Sequence, residues 1–429
     1  MLNFLELIAK RGKVDESAKI IYMLACVAFL VMLGIGIISP VLPIYAKKLS
    51  ADTALASYLV SSFGIARVFM DLPSGVIIDA VGERRLVQSG LGIIIISSIL
   101  CGLANSYSIL LLGRILEGVG SAMYTITALT LIAKIAPKKS RGKHMSIYTG
   151  MLLFGSIFGP AIGGFTSAKW GMNSPFFVYA FVVLIGSFIA FYVLRDIENV
   201  ISRASNHSGF DGETRKSAKE IFSDIKSVTT DKSFIIVTLA TFMLFYTRTG
   251  INSTMVPLFA VENLHLTEDT LGGILALAAF FTFITMTTSG NLTDKYGRKP
   301  LMMCCMLLTA VMTIIIPYSR NVLDFTAIMI AYGFTLGLSG PMAAWATDLI
   351  PKDKLGAGLG FFRTVVDFGF ILGPSSLGFI VQQTSGGAIN ELPFFVVAFL
   401  LFIFGSMQYF ARDVVGEERK NRKIELFGG

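Results

Sequence analysis

Twelve long apolar runs, separated by mostly short polar segments, constrain the fold of this 429-residue chain more than any other feature. A helix that crosses a bilayer needs about 20 mostly apolar residues, and backbone in lipid satisfies its hydrogen bonds only in helices or closed barrels. These runs are too long and too continuously apolar for barrel strands, so each predicts a membrane-spanning helix. The predicted spans, numbered one to twelve along the chain, are 19–46, 55–78, 86–104, 109–133, 144–166, 175–194, 234–260, 270–292, 301–318, 324–347, 356–381 and 392–411.

The composition excludes several other classes of protein. Only 15% of the residues are charged, whereas an ordinary soluble domain carries about 25%. Soluble multidomain enzymes, disordered chains and disulfide scaffolds are therefore excluded. The four cysteines lie in apolar runs without metal-ligand spacing, and the sequence has neither a phosphate-binding loop nor a clustered catalytic set. We expect no metal, no cofactor and no enzymatic activity.

The distribution of basic residues predicts how the chain lies in the membrane. A long polar stretch divides the spans six and six, which predicts an N-terminal six-helix half over 1–194, a linker over 195–233 and a C-terminal half over 234–429. Of the 36 lysines and arginines, 28 fall on the side that holds both termini and only 4 in the opposite loops. Because basic segments stay in the cytoplasm, both termini are predicted to be cytoplasmic in a plasma or inner membrane. The net charge of +8 is thus a topology signal, and we expect no nucleic-acid partner.

The two halves of the sequence repeat each other at a nearly constant offset. Residues 42–46 return at 256–260 with an offset of 214, and residues 75–85 return at 290–299 with an offset of 215. Such a repeat predicts two parallel six-helix halves related by an axis along the membrane normal, with a solute site near the midplane. A glycine–proline pattern repeats in spans five and eleven, at Gly155, Gly159 and Pro160 and again at Gly369, Gly373 and Pro374.

Four segments carry a resemblance to a known family. Residues 75–85 have the form GxxxDxxGxRR, which resembles the loop signature of the major facilitator superfamily. Residues 112–122 resemble its span-four motif, residues 155–164 resemble its span-five antiporter motif, and Pro40-xx-Pro43 ends span one. Together they are similar to the twelve-span drug:proton antiporter branch. The resemblance implies an all-α integral membrane protein with two pseudo-symmetric six-helix halves that transports by alternating access.

The repeated loop motif predicts a latch on the cytoplasmic side. In this hypothesis breakable charge contacts stabilise the outward-facing state; the alternative is that the charges only fix topology and cap helices. The family has an acidic residue at the end of span four, but Lys134 stands there, while Asp348 fills the equivalent position in span ten. We therefore expect the N-terminal latch to be weaker or differently paired. The predicted gate residues are Gly75, Asp79, Gly82, Arg84, Arg85, Gly290, Asp294, Gly297, Arg298 and Lys299.

The glycine–proline pattern of spans five and eleven has two interpretations. Glycines let helix backbones touch, and proline bends a helix. The pattern predicts either a tight seam between the halves that limits leak, as the resemblance implies, or ordinary packing of small residues.

Charged residues inside the predicted spans are candidates for proton coupling, because a charge in the bilayer is costly and usually functional. Arg67–Asp71, Arg114–Glu117 and Arg363–Asp367 each lie on one helix face, so each is either a structural ion pair or a proton-coupling pair. The resemblance implies a coupling role for Arg114, and Glu117 stands where the family usually has Gln. The predicted proton-coupling residues are Asp71, Arg114, Glu117 and Asp367.

The middle of spans seven and eleven provides the candidate substrate contacts. Four arginines inside spans against three acids give an anionic or zwitterionic substrate as much weight as a cationic drug. Aromatic side chains are typical of the walls of such sites. The predicted substrate-binding residues are Tyr124, Tyr246, Arg248, Trp345, Phe362 and Arg363.

These observations predict a secondary active transporter that exports small amphipathic organic compounds in exchange for protons. The alternative is a uniporter or symporter of an organic anion, a metabolite or a lipid-like solute. The expected partners are the small-molecule substrate, protons and the bilayer, and we expect a monomer.

Overall fold

A computed structural model of the chain describes residues 16–136, 141–195, 197–198, 200–201, 218–351 and 354–417. These residues form helices and no strand. Twelve of the helical segments are long and apolar enough to cross a membrane, which confirms the predicted all-α, twelve-span fold class. The observed spans one to twelve are Ser17–Ile38, Thr53–Gly75, Glu83–Gly102, Tyr107–Ile135, Ile147–Trp170, Ser174–Val193, Lys232–Glu262, Glu268–Thr293, Arg298–Tyr318, Val322–Asp348, Leu355–Ser385 and Leu392–Phe410.

Several spans depart from a single straight helix, and prolines account for two of the breaks. The first helix ends at Ile38 and a short helix, Leu42–Lys48, follows with Pro43 in its first turn. Span ten likewise divides into Val322–Gly337 and Met342–Asp348, with Pro341 capping the second piece. Proline lacks the amide hydrogen that the interior of a helix needs but is tolerated at a helix start, which fits Pro43 and Pro341 at the beginnings of these short helices. A short helix, Ala218–Val228, lies within the segment that the sequence predicts to be the linker.

Span seven contains a π-helical segment. It begins as an α-helix over Lys232–Thr247, widens into a π-helix over Arg248–Met255 and ends as an α-helix over Val256–Glu262. The hydroxyls of Ser253 and Thr254 bond the carbonyls of residues five positions earlier, Arg248 and Thr249. Short π segments within α-helices are rare and occur frequently at functional sites.

The chain divides into two compact units. The first holds the described residues of Met1–Ser39 and Ile65–Thr214, and the second those of Pro40–Gly64 and Arg215–Gly429. In the first unit span one packs on spans five and six, and span three packs on spans four and six. In the second unit span seven packs on span eleven, span nine on spans ten and twelve, and span eight on span ten. The pairs one–five and three–six of the first unit thus correspond to seven–eleven and nine–twelve of the second, as the internal repeat predicts.

The glycines of spans five and eleven bring helix backbones into contact within each unit. A Cβ atom on Gly159 or Gly163 would collide with the backbone of Gly36 or Ile37 in span one. In the second unit a Cβ atom on Gly373 would collide with the carbonyl of Tyr246 in span seven. These glycines therefore serve the packing of neighbouring helices in the same unit, which is the second of the two interpretations given above.

The segment Pro40–Gly64 is tied to the C-terminal helices of the second unit by polar contacts. Lys47 forms an ion pair with Glu262 and also donates to the carbonyl of Gly387 at 3.3 Å. The hydroxyl of Thr53 donates to the same carbonyl at 2.5 Å, and the hydroxyl of Ser61 donates to the carbonyl of Ile371 at 2.6 Å. No local sequence pattern predicts these contacts, because they join residues more than 200 positions apart.

Candidate functional site

A fully buried ion pair lies in span four of the first unit. Arg114 Nη1 donates to Glu117 Oε2 at 2.5 Å, and the two residues are 4% and 0% exposed. Three residues apart, they lie on the same helix face, as predicted. A buried ion loses several kcal/mol of hydration, so either charge is tolerable there only beside the other. Removing or displacing one partner therefore changes the protonation or the stability of the other.

Tyr179 of span six completes this buried group. Its phenol is fully buried and interacts electrostatically with both Glu117 and Arg114. Gly34 of span one leaves room for the ring, because a Cβ atom there would overlap it. The site is thus built by three helices. Sequence reasoning missed Tyr179, since a tyrosine without a charged neighbour on its own helix gives no signal.

The other predicted proton-coupling acids are less enclosed than Glu117. Asp367 lies 3.8 Å from Arg363, measured from Oδ2 to Nε, and the two side chains are 28% and 45% exposed. Asp71 is half-buried in span two, one turn after Arg67. Among these three acids only Glu117 is completely buried. Because Glu117 is shielded from solvent, its charge depends more strongly on one neighbour, Arg114, than the charges of Asp71 and Asp367 depend on theirs.

Three of the predicted substrate residues lie on spans seven and eleven of the second unit. The hydroxyl of Tyr246 is 2.5 Å from that of Ser376, which joins the two spans. Phe362 is buried on span eleven. Arg248 occupies the first position of the π-helical segment and is half-buried.

Two other predicted substrate residues, Tyr124 and Trp345, are completely buried in the interior of their own units. The hydroxyl of Tyr124 donates to the carbonyl of Leu24 at 3.2 Å. The indole of Trp345 donates to the carbonyl of Arg412 at 2.9 Å, which ties span ten to the segment after span twelve. Each side chain therefore has a structural contact, and its role in substrate binding stays a prediction.

The two copies of the loop motif have the same backbone geometry. Gly82 and Gly297 cap the following helices with φ of 85° and 90°, a conformation that favours glycine. A Cβ atom on Gly75 or Gly290 would meet nothing within 4 Å. The side chains of the two predicted gate acids, Asp79 and Asp294, lie outside the described residues.

Among the described side chains, each copy of the motif makes one ion pair, and the charges are exchanged between the copies. Lys134 Nζ donates to Glu83 Oε1 at 2.7 Å in the first unit, and Arg298 Nε donates to Asp348 Oδ2 at 2.5 Å in the second. By the repeat offsets Glu83 corresponds to Arg298 and Lys134 to Asp348. The N-terminal motif is therefore paired differently, as expected from Lys134: the base and the acid have exchanged positions relative to the second unit.

The next basic residue of each motif packs on an aromatic ring at the end of its own unit's last span. The guanidinium of Arg84 lies 4.9 Å from the ring centroid of Phe191. Lys299 Nζ lies 5.8 Å from the ring centroid of Tyr409 and donates to its carbonyl at 3.0 Å. The following basic residue of the first copy, Arg85, is exposed.

This architecture, two repeated six-helix sets of spans with charges held inside them, defines a class of multi-pass membrane transporters. The family model of the Major Facilitator Superfamily matches residues 24–247 and 237–427. The chain belongs to that superfamily.

Relatives of known sequence include transporters and resistance proteins. The chain is 27% identical over 380 residues to an uncharacterized MFS-type transporter of Methanocaldococcus jannaschii, covering 86% of this chain and 92% of that one. It is 24% identical over 422 residues to multidrug resistance protein 2 of Bacillus subtilis, covering 97% and 100%. It is 28% identical over 192 residues to the quinolone resistance protein NorA of Staphylococcus aureus, covering 45% and 48%.

Solved structures with the same fold include a bacterial homolog of the human lysosomal transporter Spinster in an inward-facing, unoccupied conformation. The TM-score is 0.69 at 16% identity, and the match covers 93% of this chain and 97% of that one. The nucleoside transporter NupG matches with a TM-score of 0.71 at 16% identity, covering 92% and 100%. Identities this low establish the fold and not the substrate.

Proposed function

We propose that this transporter exports small amphipathic organic compounds in exchange for protons, and that Glu117 is the principal proton carrier. The observation that carries the proposal is the buried pair of Glu117 and Arg114, whose members balance each other's charge. The drug-resistance names of two relatives support efflux of organic compounds. Asp71 and Asp367 are secondary candidates for the same role.

Alternating access gives this pair its function. While Arg114 stays beside Glu117, the carboxylate is stabilised as an anion. When the conformation of the transporter changes and the guanidinium turns away from the carboxylate, an uncompensated anion in an apolar interior becomes unfavourable, so Glu117 takes a proton. Proton uptake and solute release on one side, and the reverse on the other, make an antiporter.

In this proposal both termini are cytoplasmic and the repeated motifs act as the cytoplasmic latch. The pairs Glu83–Lys134 and Arg298–Asp348 hold the motif helices against spans four and ten of the same unit. Arg84 and Lys299 fix the motifs to the ends of spans six and twelve. The proposed gate residues thereby move as part of each unit when access changes sides.

Transport assays in proteoliposomes test the proposal. We expect a quinolone, the class named for one relative, to accumulate only when a pH gradient is imposed. Glu117→Gln should abolish the dependence on the gradient, because the amide cannot exchange a proton. The matched control is Glu391→Gln, an exposed acid in the loop before span twelve. Gradient-driven flux that survives in Glu117→Gln would exclude this residue as the carrier.

A further inference from the structure

Arg248 is a charged residue in the middle of a membrane span without an acidic partner among the residues that the structure describes. The other arginines of the candidate site have carboxylates: Arg114 pairs with Glu117, and Arg363 with Asp367. A cation in the hydrocarbon region normally pairs with an acid or with the transported ion. Among the described residues, therefore, no carboxylate balances the charge of Arg248.

A second polar group lies beside Arg248 and also lacks a hydrogen-bond partner. Tyr332 of span ten is 1% exposed, and its hydroxyl makes no hydrogen bond in the described structure. The phenol and the guanidinium are electrostatic neighbours. The phenol is a hydrogen-bond donor, and a protein interior rarely leaves a buried donor unsatisfied. A buried phenol without a described hydrogen-bond partner, within electrostatic range of a half-buried arginine without a described acidic partner, is an arrangement that an anion completes.

The backbone around Arg248 holds this arrangement in place. Arg248 begins the π-helical segment, and two residues later Gly250 lies so close to span eleven that a Cβ atom would come within 3.0 Å of the carbonyl of Gly373. The hydroxyl of Thr249 donates to the carbonyl of Phe370 at 3.2 Å. Spans seven and eleven thus pack closely beside Arg248. This packing fixes the position of the backbone that carries the guanidinium.

We propose that Arg248 and Tyr332 form an anion-binding subsite that accepts a carboxylate, sulfonate or phosphate group of the transported compound. The inference rests on the proposed transport function and narrows it: the amphipathic solute carries an anionic group. The guanidinium neutralises the charge and the phenol donates a second hydrogen bond, as charge-assisted pairs do. The ligand charge takes the place of an acid, which the described residues of the second unit do not place beside Arg248.

A binding experiment on the purified protein in neutral detergent, without any gradient, tests the subsite. Probes are matched pairs of one anionic and one neutral molecule: a quinolone carboxylic acid with its methyl ester, and naphthoate with naphthamide. We expect the anionic member of at least one pair to raise the melting temperature, and its neutral partner not to do so. Arg248→Met and Tyr332→Phe should each weaken anion binding, the first by about tenfold or more. Arg320→Met and Tyr318→Phe, which change exposed residues at span ends, are the matched controls.

The melting temperature without a probe gives an independent readout. An unpaired charge in the interior destabilises a protein, so Arg248→Met should melt at a higher temperature than the unmodified chain. If Arg248 had a structural partner, the same substitution would lower the melting temperature. Anionic phosphatidylglycerol and neutral phosphatidylcholine, added in separate arms, distinguish a lipid headgroup from a soluble organic anion as the source of the charge.

Three outcomes overturn the proposal: equal stabilisation by neutral and anionic probes, anion binding that persists in Arg248→Met, or no response to any anion. None of them bears on proton coupling, since the assay contains no gradient. Conversely, if the protein binds anions through Arg248 but transports them without protons, the anion-binding proposal stands and the antiport proposal is wrong.

Discussion

Lys134 donates a hydrogen bond to Glu83 across 2.7 Å, at the positions that the internal repeat equates with Asp348 and Arg298. The same contact is thus built twice with opposite polarity. Lys134→Asp places two acids together and should lower the melting temperature in detergent, by an amount corresponding to about 1 kcal/mol for a partly exposed pair. The double substitution Glu83→Arg with Lys134→Asp recreates the polarity of the second unit and should recover most of the loss.

The control for this exchange is Lys226→Asp, which reverses an exposed charge on the linker helix. It should change the melting temperature little. A double variant that melts no higher than Lys134→Asp alone would mean that an ion pair of reversed polarity does not stabilise the first unit.

The buried pair in span four predicts strong coupling between two substitutions. Glu117→Leu or Arg114→Met alone leaves one buried charge uncompensated and should cost about 3–5 kcal/mol of unfolding free energy. The double variant removes both charges and should regain much of that stability, yet it should not transport in exchange for protons. A double-mutant cycle of unfolding free energies, measured beside the transport assay, checks both statements. Additive losses in the cycle would show that the pair is not a coupled unit.

The close backbone contact at Gly373 predicts a large difference between two glycines of the same helix. Gly373→Ala forces a methyl group against the carbonyl of Tyr246 in span seven and should lower the melting temperature and the yield of folded protein. Gly360→Ala, at a position where a Cβ atom meets nothing within 4 Å, should be neutral or slightly stabilising, because alanine favours helix by about 1 kcal/mol over glycine. Equal effects of the two substitutions would contradict the observed packing.

The ion pair between Lys47 and Glu262 lies at the ends of the spans away from the two loop motifs. Breaking this pair should make buried residues of the Pro40–Gly64 segment more accessible to a labelling reagent. Breaking it with Glu262→Gln removes one of the contacts that tie Pro40–Gly64 to the C-terminal helices. A reporter cysteine at Ser57, which is fully buried against Gly378, should then react faster with a membrane-impermeant maleimide. Glu268→Gln, at the start of span eight, is the control. An unchanged labelling rate would show that the pair does not hold this segment in place.

Much of the fold follows from the sequence because the bilayer imposes a simple rule on span length and polarity. The apolar runs predict the twelve spans. The internal repeat predicts that helix pairs in the first unit have counterparts in the second, as one–five and seven–eleven do. The breaks in spans one and ten have a visible cause in Pro43 and Pro341. The π-helical segment at Arg248 has no comparable signal, since a widened turn depends on packing between helices.

The candidate site was predictable only where both partners lie on one helix. The spacing of Arg114 and Glu117 indicated their pairing, whereas Tyr179 reaches Glu117 from another span and through space left by Gly34. Tyr332 likewise becomes a candidate only through its electrostatic interaction with Arg248, which lies on another span. Contacts between helices depend on their rotation and height in the unit, which residue spacing along one chain does not specify.

The most direct test of the account measures proton movement in proteoliposomes that contain a pH-sensitive dye and no initial pH gradient. A gradient of a quinolone across the membrane should drive protons in the opposite direction to the solute, and Glu117→Gln should stop the proton signal while Glu391→Gln preserves it. Solute flux through the unmodified protein without any proton movement would contradict the account.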